Sequence, residues 1–300
     1  MSKVLAIALS MFLALPAGLV GAREADVSAS TGVSSSNVEW LTTIPLEAGT
    51  WSGARIVKGR LYVAGSKSFS IYDVSDPESP QLLSITPIGF QFVNEDVDTN
   101  GEIMLLSDDR GQQKFHVWDV SDPTKPVKLA EMPGMPDHTF ACVLDCTWAY
   151  GAGGSIIDLA DPANPRSAGR WHEPMPGLWG FDTFEVKPGV VITASQVMHL
   201  LDGRKDPAKP KVLAQGGAHD RRYLHSIRWP NQGRDRFILV QAEANLRPQC
   251  NETAGAFMTY DATTIPRAKS FNMIDEFRVE GTGTYVDGNP PANAVGCSPS

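Results

Sequence analysis

Apolar and polar residues alternate in short runs along this chain, as in Phe69-Ser70-Ile71-Tyr72 and Phe115-His116-Val117-Trp118. A period of two is that of a half-buried strand. Each run stops at an aspartate, after which one order of residues recurs: a hydrophobic residue, then Asp-Pro, then a second proline three residues on. The fullest copy is Ile71-Tyr72-Asp73-Val74-Ser75-Asp76-Pro77-Glu78-Ser79-Pro80. The marker residues recur as Asp119, Asp122 and Pro123, and again as Asp158, Asp161 and Pro162. Degraded copies end at Asp202, with Asp206-Pro207, and at Asp261. The Asp-Pro pair breaks the strand, because proline presets the backbone for a turn and the aspartate accepts from amides just ahead. The second proline opens the next strand, where a missing amide hydrogen does least harm.

Two further alternating runs separate consecutive copies. They are joined by Lys58-Gly59, Asn100-Gly101, Pro188-Gly189 and Asn231-Gln232-Gly233, of which Asn-Gly is the strongest hairpin signal. Each unit therefore holds four strands. The markers Asp73, Asp119, Asp158, Asp202 and Asp261 stand 46, 39, 44 and 59 residues apart, which brackets the length of a propeller blade. No helical period is sustained past residue 22. The pattern predicts an all-β protein, a β-propeller of four-stranded blades over residues 38–300. Five blades are visible, and residues 38–46 read as a lone strand that would complete a blade begun at the other terminus. That strand and the short segment after residue 280 imply six blades in an intact chain truncated at its C-terminus, with a five-bladed ring and a tail as the alternative.

The Asp-Val-Ser-Asp-Pro-x-x-Pro units, preceded by Leu61-Tyr62-Val63-Ala64-Gly65, resemble the LVIVD-repeat β-propellers. The resemblance covers residues 38–261 and is strongest in the first three copies. It implies a secreted or envelope protein of prokaryotic type and no defined reaction.

Ahead of the repeats, Lys3, a twelve-residue apolar run at 4–15, Pro16 and Val20-Gly21-Ala22 read as a signal peptide cut after Ala22. Twelve residues are too few to span a bilayer, and no later run is long enough, so the chain left after export has no transmembrane anchor. Residues 23–37, rich in Ser, Ala, Gly and Thr, read as a flexible tail. The net charge is −8, and with no basic run to displace counterions from phosphates it argues against a nucleic-acid partner.

Four cysteines in a secreted chain imply two disulfides. Cys142 and Cys146 can meet across a hairpin turned by residues 143–145, and Cys250 and Cys297 then pair by elimination. The rival reading of His138, Cys142 and Cys146 as a metal site matches no strong zinc spacing.

His116 and His199 both sit three residues before a marker and read as outward, surface positions. His138, His172, His219 and His225 fall in or just after connections from one blade to the next, on the face where a central channel opens. Aligning inner strands sets Glu95, Asp182 and His225 at comparable positions. With His138 they are the candidate site: a cluster that could hold a divalent metal or act as acid and base. The alternative role for the same groups is to bond inner-strand amides and channel water. Trp51, Trp171, Trp179 and Trp229 lie near the same connections, as core or as a sugar platform beside a carboxylate pair. Two functions therefore stand. One is a secreted, monomeric binding or scaffold module for a protein or cell-envelope ligand, and the other is a metal-dependent or acid–base enzyme of the hydrolase or oxidoreductase class.

Overall fold

A computed structural model describes residues 36–44, 53–65, 67–89, 97–108, 113–172, 180–195, 197–217, 223–243, 256–265, 267 and 269–277. By compactness the chain divides into Met1–Leu41 and Thr42–Ser300, and the strands among the described residues lie in the second unit. The expected signal peptide at 1–22, nearly all of the tail at 23–37, and Cys250 and Cys297 lie outside the described residues.

The chain forms a β-propeller of five four-stranded antiparallel sheets, each made of consecutive strands. Blade 1 is β1 (Gly53–Val57), β2 (Arg60–Ala64), β3 (Ser68–Asp73) and β4 (Gln81–Pro87). Blade 2 is β5 (Asp98–Thr99), β6 (Ile103–Asp108), β7 (Lys114–Asp119) and β8 (Val127–Pro133). Blade 3 is β9 (Phe140–Val143), β10 (Trp148–Gly151), β11 (Ser155–Asp158) and β12 (Arg166–Arg170). Blade 4 is β13 (Asp182–Lys187), β14 (Val190–Ala194), β15 (Met198–Asp202) and β16 (Lys211–Gly216). Blade 5 is β17 (Tyr223–Arg228), β18 (Phe237–Glu243), β19 (Ala256–Asp261) and β20 (Asn272–Phe277).

The marker aspartates end the third strand of every blade by one device. The Oδ1 of Asp73, Asp119, Asp158, Asp202 and Asp261 accepts the amide two residues on, at 2.9, 2.9, 2.9, 3.1 and 2.8 Å. The amide of the intervening residue donates to the turn between the first two strands of the same blade, as Val74 does to Gly59 O at 2.8 Å and Val120 to Glu102 O at 2.7 Å. The second aspartate repeats the turn: Asp76 accepts from Glu78 N at 3.1 Å and Asp122 from Thr124 N at 3.0 Å. Hydrogen bonds from the residues just after them hold the carboxyls of Asp73, Asp122 and Asp261 below the ordinary carboxylate range. Just before each marker the pairing of third and outer strand slips by a residue, at Ile71/Tyr72 and its four counterparts. Such bulges raise the local twist, as a blade stacked about an axis requires.

Second and third strands are buried where consecutive blades pack together, blade 1 on 2, 2 on 3, 3 on 4 and 4 on 5, with Tyr62, Phe69, Phe115, Tyr150 and Ile192 fully enclosed. Outer strands alternate and leave Leu82, Val127, Val212 and Ile274 exposed.

The structure corrects three expectations. Residues 38–44 carry no strand, and Val38 and Leu41 stand 59% and 46% exposed. The inference of a sixth blade rested on that strand and on the segment after residue 280, which lies outside the described residues; each of the five blades draws all four strands from one continuous stretch of chain. Cys142 and Cys146 are disulfide-bonded, with Cα atoms 4.3 Å apart, but the hairpin turns at residues 144–147. Cys142 faces Ala149 across the ladder and the bridge closes inside the turn. Leu144, Asp145 and Cys146 all adopt the left-handed conformation there, with φ of 52, 58 and 57°. Finally, His116 and His199 are buried, 2% and 6% exposed. The position three residues before a marker is an enclosed one, as the buried Ser70 and Ser155 also show. Burial is the main cause that lowers both imidazoles to about 4, assisted by Lys128 at His116 and by His172 at His199.

Candidate functional site

The inner strands β1, β5, β9, β13 and β17 each have one edge facing the axis, and amides on an open strand edge need partners from elsewhere. Ladder registers count equivalent positions from each marker. Two residues back from the marker and across to the inner strand lie Arg55, Asp98, Ala141, Phe184 and Arg228. These five form one layer.

Within it Asp98 accepts from Arg55 Nε at 3.2 Å and Thr99 N at 2.9 Å, and its Oδ2 takes Cys142 N of the next inner strand at 2.9 Å. The guanidinium carbons of Arg55 and Arg228 stand 5.2 and 5.3 Å from the Phe184 ring centroid, within cation–π range. Asp182 accepts Ile227 N of the neighbouring inner strand at 2.8 Å and Arg228 Nη1 at 2.6 Å. Glu185 does the same in the other direction, taking Leu144 N at 2.8 Å and Gly189 N at 2.7 Å. Burial pushes the carboxyls of Asp98 and Glu185 above their ordinary values, against the opposing pull of Arg55 and of the Leu144 amide. The carboxylates at the axis thus staple one blade's inner strand to the next.

Of the residues expected to form a site, His138 and His225 come together. His138 precedes β9, His225 lies on β17, and their ring centroids are 6.4 Å apart. Both pack on Phe181, at 5.6 and 5.0 Å. Asp182 turns to Ile227 and Arg228 instead, and its buried Oδ1 has no hydrogen-bond partner among the described residues. The ladder shifts between Leu224 and Ser226, so Asp182 lies level with Ser226 rather than with His225. Glu95, like His219, Trp51 and Trp179, lies outside the described residues. Among the described residues no three His, Cys, Asp or Glu side chains gather as metal ligands.

A second group at the same end of the blades was not singled out as a cluster by the sequence. His199 packs against Trp171 at 5.0 Å and stacks on His172 at 6.2 Å with the planes 10° apart. Trp171 Nε1 donates to Gly151 O at 3.1 Å. Beside it the buried Asp137 accepts from both the amide and the hydroxyl of Ser155, and its carbonyl accepts from Ser107 Oγ. Arg170 donates to Ser155 Oγ at 3.3 Å and to Gly153 O. Trp229, 7% exposed, packs at the opposite end with Nε1 donating to Asp235 O at 3.0 Å, which is a core role.

A family model described as LVIVD repeat matches residues 57–86, the last three strands of blade 1. None of the curated proteins matches the chain. Among solved structures, a functionally unknown protein from Desulfotomaculum acetoxidans DSM 771 is similar at a TM-score of 0.56 and 12% identity, over 82% of this chain and 74% of that one. A Lactobacillus plantarum protein is similar at 0.55 and 11%, over 77% and 71%. The periplasmic gluconolactonase of Pseudomonas aeruginosa is similar at 0.50 and 12%, over 73% and 67%. At these identities the likeness is one of fold.

Proposed function

We propose that this chain, an LVIVD-repeat β-propeller, is an exported, monomeric binding module that holds a protein or cell-envelope ligand on one face. The observation that carries the reading is the use made of the axial carboxylates. Asp98 and Asp182 bond inner-strand amides and arginines, so they serve the ring itself. Recognition then falls to the end of the blades where each outer strand connects to the next inner strand. Trp171 and His172 stand there half-buried, aromatic and imidazole groups of the kind that anchor interfaces, above the buried His138 and Phe181. Export is supported by the Cys142–Cys146 disulfide, a bond that persists in oxidising compartments. No helix among the described residues is long and apolar enough to cross a membrane.

The test is saturable binding of the purified protein to isolated cell envelopes. His172→Ala is expected to weaken it at least about tenfold, the scale of one lost anchor. Lys125→Ala, exposed on a turn at the opposite end, should bind like the parent. Equal binding by both variants, or none that saturates, overturns the reading.

The approach of His138 and His225 favours a second reading, a metal-dependent or acid–base site at these two imidazoles. Here the purified protein should keep stoichiometric metal through dialysis and His225→Ala should lose it with an unchanged melting temperature. Metal-free parent protein would end the metal-dependent form of that reading.

A further inference from the structure

Blade 5 breaks the repeat at the turn between its first two strands. In blades 1 and 4 that turn is two residues, 58–59 and 188–189, whereas in blade 5 it runs over residues 229–236. Asn231, Gln232 and Gly233 take left-handed conformations in it, with φ of 51, 56 and 71°. Gly233 seats the turn on blade 4, where a Cβ would lie 2.6 Å from Val186 Cγ1. The enlarged turn and the turn of blade 4 enclose a cleft of about 400 Å³ between the two blades, at the end opposite His138 and His225.

The floor of this cleft is apolar: Val186, Val190, Leu200, Trp229 and Ile265 reach it, all 9% exposed or less. Its rim is basic, with Lys187, Arg204, Arg234 and Arg236 against the single acid Asp235. Asp202 takes Arg204 in a two-pronged bond at 2.8 and 2.7 Å. Asp235 Oδ1 accepts from Asn231 Nδ2 at 2.7 Å, and Asp261 lies close enough to Arg236 to feel its charge. After these acids are counted the rim keeps a net positive charge, in a chain whose net charge is −8. Two of its cations, Arg234 and Arg236, come from the enlarged turn itself.

We propose that this cleft binds an amphiphilic anion, a carboxylate or phosphate head on a hydrocarbon body, with the head at Arg234 and Arg236 and the body on the apolar floor. The volume suits a small molecule, since such sites run from about 300 to 1,000 Å³ and combine an apolar lining with a few placed polar groups. A buried hydrocarbon on that floor gains about fourfold in affinity per methylene. A cation of the same length meets like charge at the rim. The site is independent of the binding face proposed above.

Calorimetric titration of the full chain with hexanoate, octanoate and octyl phosphate tests it, with octanol and octylamine as neutral and cationic probes. One saturable site is expected for octanoate and octyl phosphate, tightening by about fifteenfold from hexanoate to octanoate, with octylamine at least about tenfold weaker. Arg234→Glu/Arg236→Glu, both exposed enough to be replaced without loss of core, should reduce octanoate binding by at least about tenfold at an unchanged melting temperature. Equal affinity for octylamine, undiminished binding by the double variant, or no saturable octanoate binding overturns the proposal. If the double variant melts early, the octanoate, octanol and octylamine order on the parent protein decides alone.

Discussion

Replacing Asp98 by alanine is expected to lower the stability of the propeller by about 3 kcal/mol, as read from the urea midpoint at constant slope. Its carboxylate serves Cys142 N, Thr99 N and Arg55 Nε together, and it is 6% exposed. Removing an acceptor from buried donors costs about 1–3 kcal/mol each, and more where one donor is charged. Arg55 is partly exposed, at 29% for its side chain, so water recovers part of its loss and the sum falls short of the full buried-pair value. Asp98→Asn keeps one carbonyl oxygen at the site and should cost about half as much. Asp76→Ala, which removes only an exposed turn acceptor, should cost about 1 kcal/mol, the scale of a lost cap.

These three variants separate two roles for the axis. A staple between inner strands predicts the order Asp98→Ala, then Asp98→Asn, then Asp76→Ala in loss of stability. A group held at the axis for chemistry predicts that Asp98→Ala folds as firmly as the parent, because catalytic groups are commonly kept at a cost to stability. A change within about 0.5 kcal/mol would therefore remove the structural account of the axis, and with it the main support for reading the protein as a binding module.

The repeat was legible in the sequence because its chemistry is local. Asp73 needs only Ser75, two residues away, to end its strand, and the same short-range bond recurs at every marker whatever the rest of the blade contains. The axial layer was not legible for the opposite reason. Arg55, Asp98, Ala141, Phe184 and Arg228 are equivalent through registers that run from the marker strand across the second strand to the inner one, and they share no residue type. Aligning inner strands by their turns placed Asp182 level with His225, and the ladder shift at Leu224/Ser226 undid the match. A one-residue slip in a strand is invisible to a pattern of period two until the partner strand is known.

His116 and His199 went astray through a different assumption. Polar residues in an alternating strand face water when one side of the sheet is solvated, but the third strand of blade 2, for example, packs against the blades before and after it. The serines that hold the same position in blades 1 and 3 are equally consistent with solvent and with a tight seam. Burial decides against solvent, at 0% exposure for Ser70 and 4% for Ser155. In blade 3 that seam holds Asp137, whose carboxylate Ser155 binds through both its amide and its hydroxyl.

That arrangement sets the second large effect. Gly151→Ala is expected to cost about 3 kcal/mol, the upper range for a buried overpacking change. An added Cβ would stand 2.8 Å from the Cβ of Asp137, with the carboxyl of Asp137 nearer still. The side chain has nowhere to retreat: Asp137 is 1% exposed, Ser155 and Arg170 close one side, and Gly153 stands on another, where its own Cβ would come within 2.9 Å of Oδ1. Gly151 is not among the residues of positive φ, so alanine suits the backbone and the cost is steric. The cause can be isolated by a double-mutant cycle with Asp137→Gly. Asp137→Gly alone should cost about 3 kcal/mol, because the Ser155 amide and hydroxyl lose their acceptor. The double variant should cost no more than Asp137→Gly by itself, giving a coupling of about 3 kcal/mol. Additive losses would mean that alanine at 151 strains something other than Asp137, and the seam between the second and third blades would need a different account.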